Sequence, residues 1–205
     1  MYKRVLSVVS GFLISVSTAL SLDGGFGYGF LQMTFLGDGE VAKGIENRGF
    51  PAPPSNCTDL GGSGYWIFGR FVAGIEGGSL CGTETSKRGS YESTYQGAYM
   101  TLNGGYSILK RKNSLVLIDG GLGYAAIDVN VKDSSKRAGE FFTHYIATTS
   151  GAVGRLSLTA VKRIGKGIFL LQGGLFQPIT GLEIEGGRLG TTTFLRLGVG
   201  MGYWM

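Results

Sequence analysis

The run Leu195-Arg196-Leu197-Gly198-Val199-Gly200-Met201-Gly202-Tyr203, close to the end of the chain, decides how the rest is read. Leu195, Leu197, Val199, Met201 and Tyr203 recur at every second position and make one large apolar face. Between them stand Arg196, Gly198, Gly200 and Gly202, a face with almost no side chain and a single charge. A period of two belongs to a strand, whose successive side chains point to opposite sides. In a water-soluble barrel the apolar face turns inward and a polar face meets solvent. Bare glycine makes a poor solvent-facing surface and a reasonable lining for a narrow interior. The apolar five are therefore expected to face outward into lipid, with Arg196 inward. On this reading Leu197→Arg harms folding far more than Gly198→Ser.

Composition agrees. Glycine supplies 38 of the 205 residues, against a usual share of about 7%, with no Gly-x-y period to indicate collagen. Each interior glycine costs a helix roughly 1 kcal/mol relative to alanine, so long helices are disfavoured. Aromatics at 12% and charged residues at only 16% exclude a disordered tail. What remains is a β protein rich in glycine and aromatics.

Alternating segments recur along the chain. They run over 24–35, 62–68, 71–83, 91–109, 114–131, 141–161, 167–179 and 191–204, eight in all. Gly37 to Gly61 reads as a break, holding Pro51, Pro53 and Pro54, with a short helix over Glu40 to Arg48. Gly69-Arg70 fits a two-residue type II′ turn. The second, fourth and sixth connections (Gly69-Arg70, Lys110–Asn113, Arg163–Lys166) are short, and the odd-numbered ones are longer. Consecutive antiparallel strands put short turns at one end and long loops at the other, the layout of a transmembrane β-barrel with periplasmic turns and extracellular loops. The fold class expected is all-β: a closed eight-stranded antiparallel up-and-down barrel, its interior filled by side chains with no open pore.

The beginning of the chain reads as a secretory leader over residues 1–21, leaving 22–205 as the barrel domain. Lys3 and Arg4 form a positive start, Val5 to Val16 an apolar core, and Ala19-Leu20-Ser21 a small-residue cleavage site before Leu22. The net charge of +5 falls to +3 without Lys3 and Arg4, too mild to imply nucleic acid. Basic pairs and triplets at Lys87-Arg88, Lys110-Arg111-Lys112, Lys136-Arg137 and Lys162-Arg163 fall where turns lie and read as solvated turn charges. Cys57 and Cys81, an even count in an exported chain, suggest one disulfide at the loop end. Two cysteines and the sole histidine, His144, are too few and too scattered for a metal site.

The leader, the eight strands, the loop asymmetry and the last strand together resemble the small eight-stranded outer-membrane proteins, the OmpA-type barrel superfamily. The end of the chain, Leu197-Gly198-Val199-Gly200-Met201-Gly202-Tyr203-Trp204-Met205, is similar to the terminal assembly signal of such proteins, which usually close on Phe or Trp where this chain has Met205. The resemblance implies an outer-membrane location, a lipid bilayer and the outer-membrane assembly machinery as partners, and a monomer without a cofactor. It leaves the ligand and any surface partner open.

Four charged residues share the expected inner face at similar depth: Glu76, Asp119, Arg155 and Arg196, with Gln172 and Asn103 near the same level. They read either as a selectivity constriction or as a cluster of mutually neutralising charges that fills the interior. The second is expected, because buried charges must be paired. Gly121-Leu-Gly123-Tyr-Ala-Ala126 matches a dinucleotide-binding fingerprint but continues as a strand, where the fingerprint needs a helix. His144, near Asp128, Asp133, Ser134 and Glu140 in sequence, would anchor a rim enzyme if a nucleophile were singled out, and none is. Tyr91, Tyr95 and Tyr99 on one strand face read as interior packing or an interfacial belt, ahead of a sugar-binding stripe. The expected function is a small outer-membrane barrel, not an enzyme, with a structural or surface-interaction role. The alternatives are a soluble exported barrel of lipocalin type, with the apolar face lining a ligand pocket, and a rim enzyme near His144.

Overall fold

The structure is a computed structural model that describes residues 24–36, 40–52, 54, 56–81, 86–133, 135, 143–179, 182–184, 187–189 and 194–205. The expected leader lies outside them. Eight strands form the barrel wall: β1 (Gly25–Leu36), β2 (Asn56–Phe68), β3 (Phe71–Cys81), β5 (Tyr91–Arg111), β6 (Ser114–Asp133), β7 (Thr143–Ile164), β8 (Gly167–Pro178) and β11 (Phe194–Trp204). Three short strands lie in the connections: β4 (Ser86–Arg88), β9 (Leu182–Ile184) and β10 (Gly187–Leu189). A seven-residue helix, α1 (Glu40–Glu46), follows β1.

Every wall strand pairs antiparallel with its neighbour in sequence, and β1 closes on β11 from Phe26↔Trp204 to Leu36↔Phe194. Closure removes the unpaired edges an open sheet would expose. The hairpins β2–β3, β5–β6 and β7–β8 each turn on two residues, Gly69-Arg70, Lys112-Asn113 and Gly165-Lys166. Gly69 and Gly165 have φ of +64° and +62°, and no described non-glycine residue has a positive φ. Positive φ at the first central position alone is the type II′ geometry, whose twist matches that of the flanking strands. The start of β1 meets the end of β11 at this end, with Met205 N–H donating to the Gly25 carbonyl at 2.8 Å.

Strand two begins six residues earlier than expected, at Asn56 where Gly62 was read. The segment 56–61 reads as loop because its outward positions, Asn56, Thr58 and Leu60, are mostly polar. It nevertheless pairs with β1 through Thr58↔Met33 and Asn56↔Phe35. The second and third turns are tighter than expected, because β5 runs to Arg111 and β7 to Ile164.

The two faces are those of a membrane barrel. Leu195, Leu197, Val199, Met201 and Tyr203 are between 47% and 70% exposed on the outside, whereas Arg196 is 3% exposed within. The lipocalin alternative required the reverse. On β6 the outward face is apolar at Val116, Ile118, Leu122 and Tyr124 and turns polar at Asp128 and Lys132. Eight residue steps at about 3.3 Å, tilted about 40°, rise about 20 Å, close to the apolar band of such barrels. Beyond the band, β5, β6 and β7 continue. The first ten residues of β7, 143–152, lie beyond the point where β8 stops pairing at Val153↔Pro178. This extension carries Ala125, Ile127, Val129 and Val131 on its buried face.

Candidate functional site

The barrel interior is layered. At the short-turn end Phe26 stacks on Tyr65 and Trp204 with ring centroids 5.4 and 5.7 Å apart. Ile67, Leu115, Leu117 and Ile168 are fully buried in the same apolar core. At the loop end, Leu80, Phe176 and Phe194 join the buried face of the β5–β7 extension. Ile45 of α1 is fully buried and Phe50 packs against the core, so the helix is docked by its apolar side. A seven-residue helix needs such docking to persist.

Between these layers lies the charged cluster, carried by inward positions of β2, β3, β6, β7 and β11. The structure brings Glu76, Asp119, Arg155 and Arg196 together. The Arg155 guanidinium lies 2.8 Å from Glu76 Oε2 and 2.8 Å from Asp119 Oδ2. Arg155 Nη2 also donates to Ser157 Oγ at 2.8 Å, and that hydroxyl donates to Asp119 Oδ1 at 2.7 Å. The Tyr65 hydroxyl donates to Asp119 at 2.9 Å. Arg196 lies 2.9 Å from Asp59 and 3.7 Å from Glu76. Its guanidinium carbon sits 4.2 and 4.1 Å from the ring centres of Tyr99 and Phe176, so an aromatic ring flanks the cation where a second acid would otherwise be needed.

Asp59 is the member that sequence reasoning missed, because the strand carrying it was read as loop. Its inclusion alters the balance: three carboxylates face two guanidinium groups, where two against two was expected. Neutral donors make up the difference. The Tyr99 hydroxyl is 3.1 Å from Asp59 Oδ2 and 3.2 Å from Glu76 Oε1 and can donate to either. Tyr99 thus belongs inside the barrel. Tyr91 instead meets Phe50 edge-on at 5.3 Å, and the Tyr95 side chain lies outside the described residues.

Gln172 and Asn103 adjoin the cluster without joining its ion pairs. Gln172 accepts from Gln32 and donates to Thr159 Oγ1 at 3.0 Å. Asn103 lies 3.4 Å from the Tyr65 hydroxyl. The space left among Gln32, Arg155, Ser157, Gln172 and Arg196 is about the size of one water. Glycines admit these bulky groups. A Cβ on Gly78 would lie 2.6 Å from Asp59 Oδ1 and 2.9 Å from the Tyr99 hydroxyl. A Cβ on Gly198 would lie 2.1 Å from Gln32 Cγ, so Gly198→Ser carries a cost of its own.

The remaining candidates fare differently. Cys57 is buried, and Cys81 stands opposite Thr58 in the register, one position from Cys57. The Cys81 side chain lies outside the described residues, and so does that of His144 on β7. The fingerprint-like 121–126 segment is continuous strand. Asp128 accepts from Thr148 at 2.5 Å, and Asp133 from Ser135 at 2.7 Å, both on exposed surface. Among the described residues no group of His, Cys, Asp and Glu is placed to hold a metal.

A closed eight-stranded barrel with an apolar outer band and a packed charged interior is the fold of the small outer-membrane β-barrels. Solved structures of that class share the fold. The attachment invasion locus protein Ail of Yersinia pestis, solved with the heparin analogue sucrose octasulfate, aligns over 90% of this chain and 100% of its own at TM-score 0.55 and 8% identity. Neisserial surface protein A covers 87% and 97% at TM-score 0.53 and 7% identity. A major outer membrane protein of Thermus thermophilus covers 87% and 99% at TM-score 0.52 and 10% identity. No protein-family model matches the sequence, and no curated protein matches it.

Proposed function

We propose that the chain is a sealed, monomeric outer-membrane barrel whose role is structural or surface-interacting, exerted by its loop end, with no channel or catalytic activity. The observation that carries this is the continuous filling of the interior, from stacked aromatics through the ion-paired layer to the docked helix. An ion crossing that layer would have to displace Arg155 from two carboxylates at 2.8 Å. The β5–β7 extension supports the surface role: beyond the lipid band its outer face is polar at Gln96, Asp128, Lys132 and Thr148. Two proteins sharing the fold are named for attachment and for the cell surface.

Planar-bilayer recording with the purified, refolded chain tests the sealed interior. No unitary current steps are expected from the native chain. Regular steps of uniform size would establish a pore and overturn the reading. The leader over 1–21 and assembly by the outer-membrane machinery belong to the same proposal. N-terminal sequencing of the exported protein should begin at Leu22, and retention of Lys3 and Arg4 would contradict it.

A further inference from the structure

The charges of this chain are sorted by position to a degree that its net charge hides. Among the described residues the loop-end segments hold six acidic and six basic residues, and the interior holds Asp59, Glu76 and Asp119 against Arg155 and Arg196. The short-turn end holds Arg70 in its first turn, Lys110, Arg111 and Lys112 at the second, and Lys162, Arg163 and Lys166 at the third. No Asp or Glu occurs there in 66–73, 106–118 or 160–171, nor in the described termini at 24–30 and 198–205. Solvated turn charges would account for basic residues singly. They do not account for the absence of any acid from three separate hairpins.

The placement of these cations fits a lipid headgroup better than bulk water. Each cluster abuts residues of the apolar band. Arg70 precedes exposed Phe71, Lys110 follows exposed Ile108 and Leu109, and Lys162 pairs in register with exposed Phe169. Phe71 and Tyr106 meet edge-on at 5.5 Å on the same rim, and the Arg163 guanidinium lies 5.4 Å from the Trp204 ring centre. Long basic side chains lay their methylene stems along such apolar surface and extend their heads to the phosphate level. Lys110 Nζ lies 2.8 Å from the Gly69 carbonyl and so bridges toward the neighbouring turn.

We infer that the short-turn rim is a binding surface for anionic phospholipid headgroups, the phosphodiesters of the leaflet on that side. Clustered cations beside a membrane concentrate anionic lipid, and the effect fades within a Debye length, about 8–10 Å at ordinary salt. Three hairpins without an acid suit this partner, because a carboxylate among their cations would weaken the attraction to the headgroups. The inference rests on the membrane placement of the barrel and is independent of whether its interior is sealed.

The chain carries its own reporters. Its two tryptophans, Trp66 and Trp204, both stand at the short-turn end, in register with Ala73 and Phe26 respectively. The full exported chain is refolded into phosphatidylcholine vesicles containing a minority of either brominated phosphatidylglycerol or brominated phosphatidylcholine, and tryptophan quenching is compared. Phosphatidylglycerol should be enriched around the native barrel about threefold or more over phosphatidylcholine, and high salt should reduce the preference. A variant with Lys110→Gln, Arg111→Gln and Lys112→Gln should bring the ratio close to one, and so, in part, should a second variant with Lys162→Gln and Lys166→Gln. Lys87→Gln with Arg88→Gln, at the loop end, should leave the ratio unchanged. Equal quenching by both lipids in the native chain, or a preference that survives both turn variants, overturns the inference. A preference lost equally in the loop-end variant would assign it to overall charge and overturn the rim as the site.

Discussion

Replacing Arg155 by Met should cost this barrel about 3–5 kcal/mol, the usual consequence of removing one partner from a buried ion pair. The structure explains the size. Arg155 faces Glu76 and Asp119 at 2.8 Å each and donates to Ser157 at 2.8 Å, so its loss strands two carboxylates at once. Methionine fills much of the volume but offers no donor. Arg196 cannot take over, because it is 3.7 Å from Glu76 and already 2.9 Å from Asp59. Adding Asp119→Asn neutralises one stranded acid and leaves the amide within reach of the Tyr65 and Ser157 hydroxyls. The double variant should therefore be more stable than Arg155→Met alone, with a coupling within the range of about 0.5–3 kcal/mol seen for contacting residues. The assay is reversible urea unfolding of the barrel in lipid vesicles, followed by tryptophan emission, for both single variants and the double. Strictly additive losses would show that the two groups do not interact and would refute the network.

Other consequences are open to direct measurement. Leu197→Arg puts a charge on the lipid face and should cost about 2–4 kcal/mol near mid-membrane in the same urea assay, whereas Gly154→Ser, where a Cβ has no neighbour within 4 Å, should be nearly silent. Gly198→Ser should also destabilise, through the 2.1 Å approach to Gln32 Cγ, and a neutral result would refute the tight packing of that face. Tyr99→Phe removes the hydroxyl that serves Asp59 and Glu76 and should cost about 1.5–3 kcal/mol, the worth of a hydrogen bond to a charged group; unchanged stability would exclude that bond. Trypsin applied to intact cells should cut at exposed Lys87-Arg88 and spare Lys110-Arg111-Lys112 until the membrane is permeabilised, as peptide mass mapping would show; the opposite pattern would invert the orientation.

The fold was legible wherever one face was built from large apolar residues. On β11 the alternation of Leu195, Leu197, Val199, Met201 and Tyr203 with glycine allows only one orientation in a barrel. The two-residue turns were marked by Gly69 and by polar runs between apolar segments. The inward position of Glu76, Asp119, Arg155 and Arg196 followed from parity alone, because a strand that shows lipid one face must bury the other. Asp59 escaped because parity needs a visible strand. In 56–62 the outward positions are Asn56, Thr58, Leu60 and Gly62, too polar to announce a lipid face, since this part of β2 lies near the end of the band. The partners Tyr65 and Tyr99 were hidden for another reason. A tyrosine in a barrel wall serves equally in an interfacial belt or in the interior, and only the register shows that these two hydroxyls meet acids across the lumen. The layering of the loop end, with Ile45 and Phe50 packed over the mouth, depends on contacts between a loop helix and distant strands that no local pattern encodes.

Expression of the full chain in a Gram-negative host, membrane fractionation, and electrophoresis of boiled and unboiled samples test the membrane barrel most directly. A closed eight-stranded barrel embedded in lipid should be recovered in the outer-membrane fraction and should migrate differently before and after boiling, because its closed ladder survives detergent. Recovery in the soluble periplasmic extract, with a single mobility before and after boiling, would contradict it.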